Sequence, residues 1–185
     1  MLRVGAYAGD ASVLDYVERS GVRHGFGPSA LRAIADPHGI VLVHRRFASV
    51  GAAFAALDAG DVDVLPAPCT AVSDDGIYWV SSPYAQPQIG AVVRREEAKP
   101  RAPADFVGWR VAREREEIGG VASTWLPGAH FIDVDDARSG VQSVASGRTD
   151  AFVGIRDTYA GVVDALGNGL LESTPLPLTV PLCFV

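Results

Sequence analysis

The densest group of ionisable side chains in the sequence is Arg113-Glu114-Arg115-Glu116-Glu117. Its carboxylates are the chain's best material for general acid or base chemistry, which needs a positioned proton donor or acceptor. No nucleophile–base pair accompanies them, so catalysis is not expected. Arg113 and Arg115 could hold an anion, but pairing with Glu114, Glu116 or Glu117 is their expected use. His24, His38, His44 and His130 are scattered, and Cys69 and Cys183 have no ligand spacing, so neither a metal nor a cofactor is expected. Two separate buried thiols are the expected state of the cysteines, with an oxidised pair as the alternative. Four further polar residues sit where predicted strands end. Tyr7 closes the first strand, Asp10 lies in the loop after it, Thr70 follows the third strand, and Arg156 follows a strand late in the chain. Each has a competing structural use: ring packing for Tyr7, a turn or cap for Asp10, a turn for Thr70, and a surface ion pair with Asp157 for Arg156.

Strands and helices must position these residues, and the sequence alternates them in two halves. The first half holds the phrase Ala52-Ala53-Phe54-Ala55-Ala56-Leu57-Asp58-Ala59-Gly60-Asp61-Val62-Asp63-Val64-Leu65. The second holds Val141-Gln142-Ser143-Val144-Ala145-Ser146-Gly147-Arg148-Thr149-Asp150-Ala151-Phe152-Val153. Each reads as a helix, a small residue with Gly, an Asp, then a buried strand. Between the halves lies Ile89-Gly90-Ala91-Val92-Val93-Arg94-Arg95, an apolar run closed by two cations. It reads as a crossing strand, and a second crossing is expected at 178–185. The chain divides accordingly into lobe 1 (1–88 plus 178–185), the crossing strand (89–95) and lobe 2 (96–177). Two crossings make a hinge.

In the first half, strands are predicted at Leu2–Tyr7, Ile40–His44 and Val62–Pro66, with helices over Pro28–Ala35 and Ser49–Ala59. The order β-α-β-α-β implies a parallel sheet. The apolar run Ile40–His44 reads as a strand covered on both faces. Ile77–Val80 reads as a short strand or extended segment, and Trp79, Trp109 and Trp125 as core or surface residues. In the second half, strands are predicted at Trp109–Arg113, Ala129–Val134 and Asp150–Gly154. Helices are predicted over Glu116–Trp125, Asp135–Ser146 and Thr158–Leu166. The 185 residues, 48% hydrophobic and 21% charged with net charge −6, are globular and carry no nucleic-acid footprint. No apolar run approaches the roughly 18 residues of a membrane span. Met1-Leu2-Arg3-Val4 enters a strand directly, so either the protein is cytosolic or targeting segments lie outside this sequence.

The order and spacing of several of these pieces resemble the type II periplasmic solute-binding proteins, or Venus-flytrap domains. The carriers are Leu2-Arg3-Val4-Gly5, Gly25-Phe26, Ala56 to Asp63, Ser82-Pro83-Tyr84, Phe106 to Ala112, and Ser146-Gly147-Arg148-Thr149-Asp150-Ala151. The resemblance spans nearly the whole chain and implies an α/β, two-lobed periplasmic-binding-protein type II fold. Family members end with one or two more helices, so an incomplete first lobe is expected here, with exposed apolar surface that favours a homodimer. The wording Val64-Leu65-Pro66-Ala67 is similar to the flytrap domains of sensor histidine kinases. The resemblance therefore implies a periplasmic ligand-sensing domain of a membrane-bound kinase; the alternative is a free solute-binding protein of an ABC uptake transporter. The implied partners are a small-molecule ligand and a membrane-attached signalling or transporter protein.

The same resemblance locates four groups that grip an α-amino acid in the family, and each position departs. The carboxylate-binding Arg falls near Asp74-Asp75, the Gly-Thr at a helix start near Glu116-Glu117, the amine-binding Asp at Ile155, and the aromatic wall near Leu14. Acidic side chains at a helix start repel a ligand carboxylate, and the bidentate guanidinium is missing. An atypical ligand, or none, is expected. Tyr7, Asp10, Thr70, Arg113, Arg115 and Arg156 are the remaining candidate ligand-binding residues.

Overall fold

The computed structural model of the chain describes residues 1–7, 16–17, 23–72, 76–114 and 119–185. They form two compact units: unit 1 is 1–86 with 180–185, and unit 2 is 87–179.

Unit 1 begins with β1 (Leu2–Tyr7), followed by a short antiparallel ladder of β2 (Tyr16–Val17) against β3 (Arg23–His24). Helix α1 (Phe26–Ala35) starts after Gly25, whose φ of 121° disfavours any residue with a Cβ. Its buried positions Gly27, Pro28, Leu31 and Ala35 recur at helical spacing and make one stripe. Pro37, in a 3-10 turn over Asp36–His38, and the left-handed Gly39 then stop it. Strand β4 (Leu42–Phe47) pairs in parallel with β1, from Leu2 opposite Leu42 to Tyr7 opposite Phe47. Helix α2 (Val50–Asp58) is capped by the Ser49 hydroxyl, which accepts from the Ala52 N–H at 3.1 Å, and turns Ala53 and Ala56 inward. The chain then meets β1 in parallel at Val64 and continues as β5 (Pro66–Pro68).

The strand expected at Ile40–His44 is displaced and less covered than its apolar run suggests. It includes Arg45 and Arg46 and leaves Val41 64% exposed. The reason is position: among the described residues β4 pairs only with β1, so it is an edge, and edges commonly carry cations that discourage further pairing. Ile77–Val80 is not a strand; Tyr78 sets its ring edge against Phe54 and donates its hydroxyl to Asp58, while Trp79 is 95% exposed.

Unit 2 contains β6 (Gln88–Arg94), β7 (Arg110–Glu114), α3 (Gly119–Trp125), β8 (His130–Val134) and α4 (Ala137–Ala145). It continues with β9 (Ala151–Ile155), α5 (Arg156–Leu166) and β10 (Leu171–Thr179). One sheet runs β10-β6-β9-β7-β8, with β7 parallel to β8 and β9, and β6 antiparallel to β9 and β10. Most of the 89–95 stretch is thus a strand inside unit 2. Val92, Ala112 and Phe152 from the sheet pack with Val141, Val144 and Tyr159 from α4 and α5. Gly140 lets α4 approach this closely, because a Cβ there would collide with the Phe152 ring.

The chain returns to unit 1 as β11 (Leu182–Phe184), antiparallel to β5, and Phe184 stacks on Tyr84 with ring centroids 4.3 Å apart. This pairing brings Cys183 to Cys69, and the two form a disulfide with Cα atoms 4.9 Å apart. The expectation of separate thiols is corrected. A sequence separation of 114 residues gives no hint of contact, and only the β5–β11 register creates it.

The repeated phrase has one geometry in both units. In unit 1 the Arg3 backbone N–H and Nε donate to Oδ2 of Asp63 at 2.7 and 3.0 Å, and its Nη2 donates to Oδ1. The Asp63 N–H returns a bond to the Arg3 carbonyl at 2.8 Å. In unit 2 the Arg110 N–H and Nε donate to Oδ2 of Asp150 at 2.8 and 3.2 Å, Nη2 to Oδ1 at 2.6 Å, and the Asp150 N–H to the Arg110 carbonyl at 2.8 Å. Gly60 and Gly147, with φ of 69° and 73°, make the turn that delivers each Asp.

Candidate functional site

Ligands of open α/β sheets bind outside the carboxyl ends of the strands. In unit 2 that edge is made by the ends of β7, β8 and β9, which carry Arg113, Asp133 and Ile155 followed by Arg156. Arg113 lies opposite Asp133 in the β7–β8 register, and its Nε donates to the carboxylate at 2.9 Å. Its guanidinium carbon also stands 4.4 Å from the centre of the Phe131 ring. Arg113 therefore already has a carboxylate and an aromatic face.

Arg156 is placed differently. Ile155 closes β9 and is buried, and α5 begins at once with no side-chain cap. The Arg156 stem crosses β6 at Gly90, where a Cβ would collide with both the Arg156 Cγ and the Tyr159 hydroxyl. Its Nη1 donates to Oε1 of Gln88 at 3.1 Å, and Gln88 Nε2 donates on to the Leu176 carbonyl at 3.3 Å. The Nε is buried and has no hydrogen-bond partner. A buried donor left unmatched costs about 1–3 kcal/mol, more when charged. The expected ion pair with Asp157 does not form: Asp157 is exposed on the first turn of α5, and among the described residues the guanidinium donates to an amide oxygen and to no carboxylate.

The structure does not gather Arg113 and Arg156 at one point. Side chains alternate along a strand, and Ala112 and Phe152 face α4 and α5, so Arg113 stands on the opposite sheet face from the Arg156 stem. Thr70 is exposed on the 3-10 turn Cys69–Ala71 of unit 1, one residue from the disulfide. Tyr7 ends β1, as expected, at the carboxyl edge of its sheet. Asp10 and Arg115 lie outside the described residues, as do Leu14, Asp74, Asp75, Glu116 and Glu117. Gln88 was missed by the sequence reading; its only signal is that it is the polar residue opening the apolar run of β6.

The other strong charges serve the fold. The bidentate hydrogen bonds from Arg3 hold the Asp63 carboxyl at about 2, below its ordinary 3.8, and those from Arg110 hold Asp150 below its ordinary value. Both clamps sit at strand starts, away from the carboxyl edge. Arg94 donates to the Val144 and Thr149 carbonyls at 2.7 and 3.0 Å and ties β6 to the end of α4. Among the described residues no group of three His, Cys, Asp or Glu could hold a metal ion.

No protein-family model matches the chain, and no curated protein does. Solved structures do. The GluR0 ligand-binding core in complex with L-glutamate is similar over 99% of this chain and 82% of its own, at 20% identity and a TM-score of 0.79. A histidine kinase sensor domain with similarity to periplasmic binding proteins matches over 99% and 80%, at 19% identity and 0.77. The substrate-binding protein of an amino acid ABC transporter matches over 100% and 84%, at 17% identity and 0.73. With a parallel-stranded unit interrupted by a second α/β unit and likeness along its whole length, the chain has the two-lobed type II periplasmic-binding-protein, or Venus-flytrap, fold.

Proposed function

We propose that the chain is a non-catalytic, periplasmic domain that binds a small solute. The observation that carries this is the whole-length likeness to ligand-binding and sensor proteins. The Cys69–Cys183 disulfide supports the compartment, because such bonds persist where the surroundings are oxidising. Arg156 is the leading contact residue, for its half-buried guanidinium meets an amide oxygen and no carboxylate among the described residues; Thr70 and Arg113 are secondary, and Tyr7, Asp10 and Arg115 rest on sequence alone. Ile155, apolar and buried at the end of β9, supports the reading that an ordinary α-amino acid is not the ligand.

Within that reading, the role of solute carrier for an uptake transporter is favoured, since a binding protein of such a transporter matches this chain from end to end. A thermal-shift screen over amino acids, polyamines, sugars and carboxylic acids tests it. A solute at a hundred times its dissociation constant stabilises by about 2.7 kcal/mol, and a flat response to every compound would overturn the carrier role. The second reading is a sensor module for a membrane-attached kinase, supported by the likeness to a kinase sensor domain. Exposed Phe26, Ile34 and Val41 on unit 1 would serve a homodimer there, which light scattering over a concentration series tests.

A further inference from the structure

We infer that Arg156 is an anion receptor, so that the solute is held in unit 2 by a carboxylate or phosphate group. The inference rests on the solute-binding reading and gives it a ligand class. Three observations support it. First, the guanidinium is held in place: its stem lies in the groove that Gly90 leaves open on β6, and Gln88, itself fixed to the Leu176 carbonyl, takes one of its donors. Second, its charge is unbalanced. Arg3, Arg94, Arg110 and Arg113 each meet a carboxylate of Asp63, Glu97, Asp150 or Asp133, whereas no ion pair is formed by Arg156 among the described residues. Third, no acceptor among the described residues offsets the charge at the buried Nε, which leaves the guanidinium's charge to be met at its more open Nη end. A guanidinium presents its donors as a rigid fork that matches the two oxygens of a carboxylate or phosphate. Arg156 as a whole is half-buried, so an incoming oxyanion can reach the Nη end of the guanidinium and supply the missing charge there, while the covered Nε anchors the side chain. A cationic solute would be repelled there, and a neutral one would leave the charge unbalanced.

Titration calorimetry with succinate, inorganic phosphate, putrescine and glucose tests this on the wild-type chain, on Arg156→Gln and on Arg156→Lys. Arg148→Gln removes the same charge from an exposed turn and serves as the control. The expected result is binding of succinate or phosphate, weakened roughly 10- to 100-fold by Arg156→Gln as befits a charged hydrogen bond, partly recovered by Arg156→Lys, and unchanged by Arg148→Gln. Should Arg156→Gln not fold, the Nε–H resonance of Arg156 in the wild-type protein decides: it must shift on titration with the bound anion. An anion that binds with equal strength to Arg156→Gln, or without moving that resonance, would overturn the assignment and leave solute binding intact. Binding of putrescine or glucose alone would do the same. If none of the four probes binds, the anion assignment falls, and the broad screen then decides whether solute binding falls with it.

Discussion

The two units carry the same Arg–Asp clamp on the same helix–turn–strand unit, yet they use it to build unequal bodies. In each, a capped nine-residue helix ends at a left-handed Gly and the Asp follows three residues later. Ser49 to Asp63 and Asp136 to Asp150 have equal spacing. Beyond that unit they diverge. Unit 2 sets its strand into a five-stranded sheet in which Val92, Val111, Ala112 and Phe152 are fully buried. Among its described residues unit 1 makes a two-stranded parallel pair, one bridge at Val64, the short β2–β3 ladder and a short ladder to β11, and then adds a covalent bond. Phe26, Ile34, Val41, Ile77 and Trp79 are exposed on unit 1, against Val107, Ile132 and Leu170 on unit 2. A repeated local motif therefore sets the turn and the strand start; the number of strands beside it decides how much apolar surface is covered.

The comparison can be broken most forcefully at the disulfide. Replacing Cys69 and Cys183 together by Ser is expected to lower the stability of unit 1 by about 2–5 kcal/mol. Hydrogen exchange resolved by peptide should show faster exchange in β1, β4 and β5 with β6, β7 and β9 unchanged. Equal acceleration in both units would refute the unequal construction. Next in size are the close-packed glycines. Gly140→Ala drives a methyl group into the Phe152 ring and should cost about 3 kcal/mol by denaturant titration, while Gly5→Ala crowds the end of the Leu65 side chain, with Val62 and Phe47 at ordinary contact, and should cost about 1 kcal/mol.

The caps come third. Ser49→Ala and Asp136→Ala should each cost about 1 kcal/mol, with Asp136 the larger because it also removes a negative charge from a helix amino terminus. Acid sensitivity is the smallest effect. Asp63 and Asp150 are held below their ordinary pKa, so their contribution is fully present above about pH 4 and fades as the pH falls toward the folded value, about 2 for Asp63. Unfolding free energies measured between pH 5 and 2 should fall less steeply in Asp63→Asn and Asp150→Asn than in the wild type. An unchanged slope in both would show that the clamps are not formed in solution.

The alternating units and the repeated turn were legible because they rest on local signals: helical spacing at Val141 and Val144, Gly at the helix end, and an Asp in register before an apolar run. What escaped depends on partners distant in sequence. Ile40-Val41-Leu42-Val43-His44 reads as buried on its own composition, and only the absence of a further described strand beside β4 makes it an edge. The cysteines read as separate because nothing near either one announces β11 against β5. Arg156 next to Asp157 reads as a surface pair, but α5 carries the arginine stem over Gly90, a contact spanning 66 residues that no local pattern encodes. Four of the six candidate residues could be placed in the fold, and the two arginines among them stand on opposite faces of one sheet.

The bond between Cys69 and Cys183 makes a covalent ring of the intervening backbone, and all of unit 2 lies inside that ring. One cut by a protease anywhere in 87–179 therefore leaves a single molecule until a reductant is added. Tension applied between the first and last residues also has a short path, through 1–69 and 183–185, that bypasses unit 2 altogether. Under load, unit 2 is mechanically shunted.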